Sequence, residues 1–404
     1  MATKFSVSSP LAQLLAAILA VVFWAASAQA SEKNLFVFNL PQGVHPQAPL
    51  IADSNGNFFG TTTSGGKNNC GALFELSLAA GKWTETTLYS CQQQQGPMPT
   101  GPLTFDKMGN LYGVAQASLS GAIVELVRAG NGTWSESIIH QVKATEGLPN
   151  PELAWDNAGN LYGTTQVDST GYTGEVFELS PQANGTWNET ILYRFPAPDG
   201  AGMPTAGVVF DSKGNLYGPA YNGIGGGGTF GAIYELSPQT GGAWKFTLIY
   251  NFTLSDGGGP YSRLVFDANG NLYGASAQAN FYGEIFELLP NANGSWNEKT
   301  LYTFAYGSDG YYPVGAPVFD ASGNIYGATI WGGAGCGENI CGTVYKLSPT
   351  AGTWKETILH AFVSATDGSE PNAGVILDSS GNIYGTTYYG GSRYGYGTIY
   401  EITP

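Results

Sequence analysis

DSKGNLYG, Asp211 to Gly218, is one copy of the unit from which most of the chain is built. Its pattern is an Asp, a short turn, Gly-Asn, a hydrophobic residue, an aromatic and a final Gly. The pattern occurs seven times, at Asp53 to Gly60, Asp106 to Gly113, Asp156 to Gly163, Asp211 to Gly218, Asp267 to Gly274, Asp320 to Gly327 and Asp378 to Gly385. A repeat of roughly fifty residues, each copy reading as several short strands, is the signature of radial β repetition. Around Asp211 the strands read as Ala206 to Asp211, Asn215 to Ala220, Gly231 to Ser237 and Trp244 to Phe252, separated by turn signals. Four such strands make an antiparallel meander. In the first turn the Asp side chain bonds the turn backbone and Gly214 takes the left-handed conformation, after which a bulge restarts the strand at Asn215.

The chain ends supply the closure. The last copy stops after three strands, ending with GTIYEIT at Gly397 to Thr403, while Asn34 to Asn39 (NLFVFN) precedes the first Asp-containing strand. That segment is similar to the fourth-strand segments at Leu192 to Phe195 and Leu301 to Phe304. Pairing the two ends removes edges that would otherwise be exposed. The expectation is an all-β, seven-bladed β-propeller of four-stranded antiparallel blades, with the N-terminal strand completing the last blade.

Residues 1–30 read as a secretory signal peptide: Lys4, an apolar run from Leu11 to Trp24, and Ala28-Gln29-Ala30 before the polar Ser31-Glu32-Lys33. Residues 31–404 then form one propeller domain, secreted or periplasmic, expected to be a monomer without membrane insertion. The chain carries a formal charge of −15, 13% aromatics and 59 glycines. Its acidity argues against nucleic acid, because that affinity rests on neutralising phosphates. Export permits disulfides among Cys70, Cys91, Cys336 and Cys341. Of the three connectivities, the positions favour Cys70 with Cys91 and Cys336 with Cys341. A zinc site at these cysteines is not expected, for want of a second ligand pair.

The combined pattern L-Y-x-F, D-G-x-x-P-x-A-G, D-x-x-G-N-L-Y-G-T-T and G-G-x-x-G-Y-G-T-hydrophobic-Y-E-L-[ST]-P resembles the GloVer tandem repeat of secreted bacterial proteins. The resemblance covers essentially all of residues 31–404, most cleanly Asp309 to Gly315 and Gly381 to Pro404. It implies an exported propeller-like repeat protein of unassigned activity, in a family that often carries a separate C-terminal surface anchor. The last residues of this chain are its closing strand, so release or periplasmic residence is expected rather than covalent anchoring.

In such a ring the Asp-x-x-Gly-Asn turns lie on one face, and the second-to-third-strand loops and the blade crossovers on the other. The crossovers repeat Glu146-Gly147, Asp199-Gly200, Asp256-Gly257, Asp309-Gly310 and Asp367-Gly368, with Gln42-Gly43 and Gln95-Gly96 in the same slot. One reading brings the five carboxylates together near the channel mouth, where they could hold a hard cation such as calcium or serve acid/base chemistry. The other makes Asp-Gly a turn former, and repetition in nearly every copy favours it. No resident cofactor is expected. The seven turn aspartates do not match a calcium loop, since their Gly follows too soon and no closing Glu exists.

Trp83, Trp134, Trp187, Trp244, Trp296 and Trp354 recur at the start of the fourth strand, and Tyr112, Tyr162, Tyr217, Tyr273, Tyr326 and Tyr384 in the Asp motif. Their periodicity marks them as packing residues. Aromatics that break the period are more informative. Tyr172, Tyr221, Phe230, Phe281, Tyr282, Trp331, Tyr388, Tyr389, Tyr394 and Tyr396 fall in second-to-third-strand loops. Aromatic platforms beside carboxylates suit sugar rings, with Trp331 the first residue to test.

Motifs of nucleophilic hydrolases, zinc proteases, phosphate loops and dinucleotide folds are absent. His140 and His360 occupy equivalent fourth-strand positions and read as structural, and His45 as an ordinary surface residue. The leading expectation is a secreted scaffold binding an extracellular glycan or a cell-envelope component. The alternatives are a polysaccharide lyase or hydrolase using Asp309 and Asp367, with or without a divalent cation, and a purely structural envelope protein.

Overall fold

A computed structural model of the chain describes residues 30–91, 101–117, 120–166, 174–195, 202–221, 230–253, 256–277, 282–334, 341–363 and 366–404. Seven antiparallel sheets form the ring, and none of the described residues is helical. The blade around Asp211 is typical, with strands Val209–Phe210, Leu216–Ala220, Ala232–Pro238 and Trp244–Asn251. We number the blades 1 to 7 by their Asp-x-x-Gly-Asn motifs in chain order, so this is blade 4. Ser31–Val37 pairs antiparallel with Thr398–Thr403, from Ser31 opposite Thr403 to Val37 opposite Thr398, and completes blade 7 as expected.

The first strand is shorter than the alternation suggests. In blade 4 only Val209 and Phe210 pair continuously, and an isolated bridge between Pro204 and Ala220 resumes the ladder further up. The same break recurs at Pro149, Pro260 and Ser369. In blade 1 it divides the strand into Val44–Pro46 and Ile51–Ala52. These residues are where pairing resumes, and the residues between the two pieces stand out of the ladder as a bulge.

The turn chemistry follows the sequence. Asp211 Oδ1 accepts the Lys213 and Asn215 N–H groups at 2.8 and 2.9 Å, and its Oδ2 accepts the Asn215 side-chain amide at 2.7 Å. Gly214 has φ +86°. Burial alone would raise the Asp320 and Asp378 carboxyls, but the equivalent hydrogen bonds hold both below the usual range. The final Gly of the motif has a different reason: a Cβ on Gly218 would overlap the fully buried Tyr234 ring of the third strand. The core lies between neighbouring sheets, where motif aromatics meet the next blade edge to face. Examples are Tyr162 on Phe210 at 5.0 Å and Tyr217 on Phe266 at 5.1 Å. The periodic tryptophans pack there too, with Trp187 6.0 Å from Tyr112 and Trp296 5.9 Å from Tyr217.

Candidate functional site

The crossover carboxylates do not converge on one another; each is bound beside its own blade's outer strand. Asp256 accepts from the Tyr250 hydroxyl at 2.6 Å and from the Thr253 hydroxyl at 2.7 Å. Asp309 accepts from the Tyr302 hydroxyl at 2.7 Å and from the Ala305 N–H at 2.6 Å. Asp367 bonds His360 Nε2 at 2.9 Å and the Val363 N–H at 3.0 Å. Glu146 takes the Lys143 N–H at 2.9 Å and ammonium at 3.0 Å. Asp199 lies outside the described residues. The reading of a carboxylate ring at the channel mouth is therefore replaced by separate seams, because outer-strand partners and crossover amides hold each group at the blade it follows.

Each seam also receives a residue from the next blade's outer strand, two positions after its periodic Trp or in the matching place on the N-terminal strand. In the order of the blades these are Glu85, Glu136, Glu189, Phe246, Glu298, Glu356 and Glu32. Where the residue is Phe246, it stacks on Tyr193 with centroids 4.7 Å apart. Burial raises Glu32, Glu85 and Glu136, and takes Glu298 to about 7 and Glu356 to about 9, the last aided by Asp309. This three-part seam is not visible in sequence until the blades are superposed, since its parts lie about fifty residues apart.

The loop aromatics are brought together to different extents. Trp331 ends the second strand of blade 6 (Ile325–Trp331), opposite Tyr311 in the ladder. Its ring lies 5.1 Å from Tyr312 and 5.7 Å from Tyr311. Tyr311 meets Tyr282 at 5.8 Å and Tyr306 at 5.6 Å. Tyr221 lies 5.7 Å from Tyr261, and burial raises the Tyr312 phenol with a further contribution from Tyr221. A run of aromatic rings thus spans blades 4, 5 and 6, with Tyr306 54% and Tyr261 40% exposed. A second group surrounds blades 7 and 1, where Tyr388 stacks on His45 at 4.6 Å and Tyr389 approaches edge on at 5.2 Å. Tyr394 stacks on Tyr396 at 5.6 Å. The Phe230 N–H bonds the Phe252 carbonyl, so its backbone closes blade 4. Tyr172 and Phe281 lie outside the described residues.

His45 is more than the ordinary surface residue its sequence context suggests. Its Nδ1 lies 3.0 Å from the Tyr388 carbonyl, and its φ of +61° places it in the left-handed region. The same strained geometry recurs at Met203, Tyr312 and Glu370, each directly before a crossover Pro. Strain of this kind costs on the order of 1–3 kcal/mol and gathers at functional surfaces. The signal available in sequence was the variable residue preceding each of these prolines.

Three further features complete the surface. An axial cavity of about 360 Å³ is lined by the first strands, and Glu152 and Arg263 are its two charged residues. Glu152 is raised by burial, partly offset by Arg263, and it accepts the Gly207 N–H at 2.9 Å. On the turn face, grooves open between successive Asp-x-x-Gly-Asn turns, for example about 380 Å³ walled by Met108, Trp155 and Trp187. They recur at blade boundaries and so follow the architecture. Cys70 and Cys91 are joined with Cα atoms 5.9 Å apart, and Cys341 is disulfide-bonded. Cys336 lies outside the described residues.

The Gloeobacter/Verrucomicrobia repeat model matches residues 116–338 and 292–404. The chain belongs to this repeat family. Among curated proteins nothing matches this family member. Solved structures similar to it include a putative oxidoreductase (glucose dehydrogenase) from Thermus thermophilus, at 16% identity and TM-score 0.45, covering 74% of this chain and 95% of that one. A luciferin-regenerating enzyme is similar at 16% identity and TM-score 0.45, over 75% and 90% of the two chains. A protein of unknown function from Dyadobacter fermentans matches at 11% identity and TM-score 0.44, over 93% and 98%. Likeness at this level says nothing of what the repeat protein binds.

Proposed function

We propose that this propeller is an exported scaffold that binds an extracellular polymer, with carbohydrate as the ligand class, through the loop face of blades 4 to 6. The observation that carries the reading is the run of Tyr261, Tyr221, Tyr312, Trp331, Tyr311, Tyr306 and Tyr282 across three blades. Sugar rings stack their apolar faces on such side chains, and an extended platform suits a chain of sugars better than a single one. The leader-like N-terminus and the Cys70–Cys91 disulfide support export. A lyase or hydrolase acting through Asp309 and Asp367 draws less support, because those carboxylates occupy different seams with their oxygens engaged.

The test is a pull-down against a panel of insoluble plant, fungal and bacterial-envelope polysaccharides with wild type and Trp331→Ala. Retention of the wild type on at least one polymer, lost in the variant, supports the reading. Equal retention of both, or retention of neither, removes it.

A further inference from the structure

Two of the seven seams differ from the rest in chemistry. Where blades 4 and 5 present Tyr250 and Tyr302, blades 2 and 6 present His140 and His360. In the tyrosine seam of blade 5 the hydroxyl lies 2.7 Å from Asp309 and 3.1 Å from Glu356, so one phenolic proton sits between two carboxyl groups. The second carboxyl there stays protonated, with Glu356 raised to about 9 by burial and by Asp309. Histidine puts a ring nitrogen where that hydroxyl stands, again between two carboxylates.

At blade 2, His140 Nε2 lies 3.3 Å from Glu189 Oε1 and 3.6 Å from Glu146 Oε2. Although buried, it makes no hydrogen bond to either. At blade 6, His360 Nε2 is 2.9 Å from Asp367 Oδ2, and Glu32 Oε1 is buried beside them without a hydrogen-bond partner. In both clusters one donor atom from each residue lies within 4.8 Å of the others. Ligands on a tetrahedral zinc, bound at about 2.0–2.2 Å, stand about 3.4 Å apart. The two separations at blade 2 bracket that figure, and at blade 6 the 2.9 Å hydrogen bond of His360 to Asp367 would open by about 0.5 Å to admit the ion. Two carboxylates and a neutral imidazole carry two negative charges, which a divalent cation neutralises without protonating a buried group.

We propose that His140, Glu146 and Glu189, and His360, Asp367 and Glu32, are two divalent-metal sites of zinc type, each stapling one blade to the next. One nitrogen and two carboxylate oxygens suit zinc, whereas calcium takes oxygen ligands in larger number. Each site leaves a fourth position for water. Lys143 holds the other oxygen of Glu146, 3.0 Å away, and so neutralises part of the blade 2 cluster. The blade 6 cluster has no basic side chain in ion-pair contact, among the described residues, besides His360 itself. This second site would lock the N-terminal strand, through Glu32, to the blade preceding the one it completes. Ring closure would then be held by metal as well as by the ladder from Ser31 to Val37.

The natural control is already in the ring, since tyrosine fills the same slot in neighbouring seams. The mature chain is stripped with chelator and dialysed, then titrated with zinc chloride by calorimetry, and bound metal is measured after gel filtration. Wild type should retain two zinc ions per chain, His140→Tyr and His360→Tyr one each, and the double variant none. Glu189→Gln and Glu32→Gln provide ligand removal at constant size should a tyrosine variant fold poorly. Chelator should lower the melting temperature of the wild type and leave that of the double variant unmoved. No zinc in the wild type, or two in the double variant, overturns the proposal. One zinc, lost with only one of the two histidine variants, overturns the site at the other histidine.

Discussion

The hydroxyl of Tyr302 sits 3.1 Å from a carboxyl oxygen of Glu356, across the boundary between blades 5 and 6. A carboxyl raised by burial is protonated in the fold at pH values where the unfolded chain has already ionised it. Glu356 moves from 4.5 to about 9. Glu284 moves to about 8, first through burial and then through Glu298 and Asp256. Their contribution is therefore complete below about pH 4.5 and is lost as pH rises through the folded values. The turn aspartates act oppositely, since Asp53, Asp320 and Asp378 are held low and lose their contribution in stronger acid. The melting temperature should peak near about pH 5 and fall by several degrees toward about pH 9. Glu356→Gln should flatten that fall, and calorimetry across the range checks it.

Gly214 and Gly218 stand four residues apart and should respond differently to alanine. At Gly214 a Cβ meets nothing within 4 Å, and only the φ of +86° opposes it. The cost there should be about 1 kcal/mol. At Gly218 the Cβ would strike the Tyr234 ring inside the core. About 2–4 kcal/mol is expected, because the overlapped ring is fully buried and cannot yield. Denaturant unfolding of both variants gives the comparison.

Cys70 and Cys91 close a loop with a sequence separation of 21 at the outer edge of blade 1. Replacing both by Ser should destabilise the chain by about 3 kcal/mol. A reducing agent should lower the melting temperature of the wild type by more than that of the variant, since it opens the bridge at Cys341 in both and the Cys70–Cys91 bridge in the wild type alone, and thermal melts with and without reductant read this directly.

The ring was legible in sequence because every copy carries the same turn, and because the missing fourth strand of the last copy stood at the other end of the chain. Asp211 and Gly214 act where their order in the motif places them. The short first strands were harder to foresee, since hydrophobic alternation through Val208 and Val209 continues past the point where pairing is interrupted below Pro204. The seams were hidden for another reason. Tyr302 and Asp309 are seven residues apart, but Glu356 arrives from the next repeat, and three residue types in separate places do not form a motif. The same applies to Tyr282 and Trp331, which belong to different blades and are joined through Tyr311 only when the ring is built. His45 reads as an isolated loop histidine until closure brings it against Tyr388.

Polymer binding by the aromatic loop face is read by comparing three proteins on whichever polysaccharide retains the wild type. Quantitative pull-down isotherms should show Trp331→Ala weakened by about tenfold, which corresponds to about 1.4 kcal/mol and falls within the range of a stacking contact, while Trp187→Ala on the turn face binds as wild type does. Loss of binding in Trp187→Ala with Trp331→Ala unaffected would contradict the account and move the site to the opposite face.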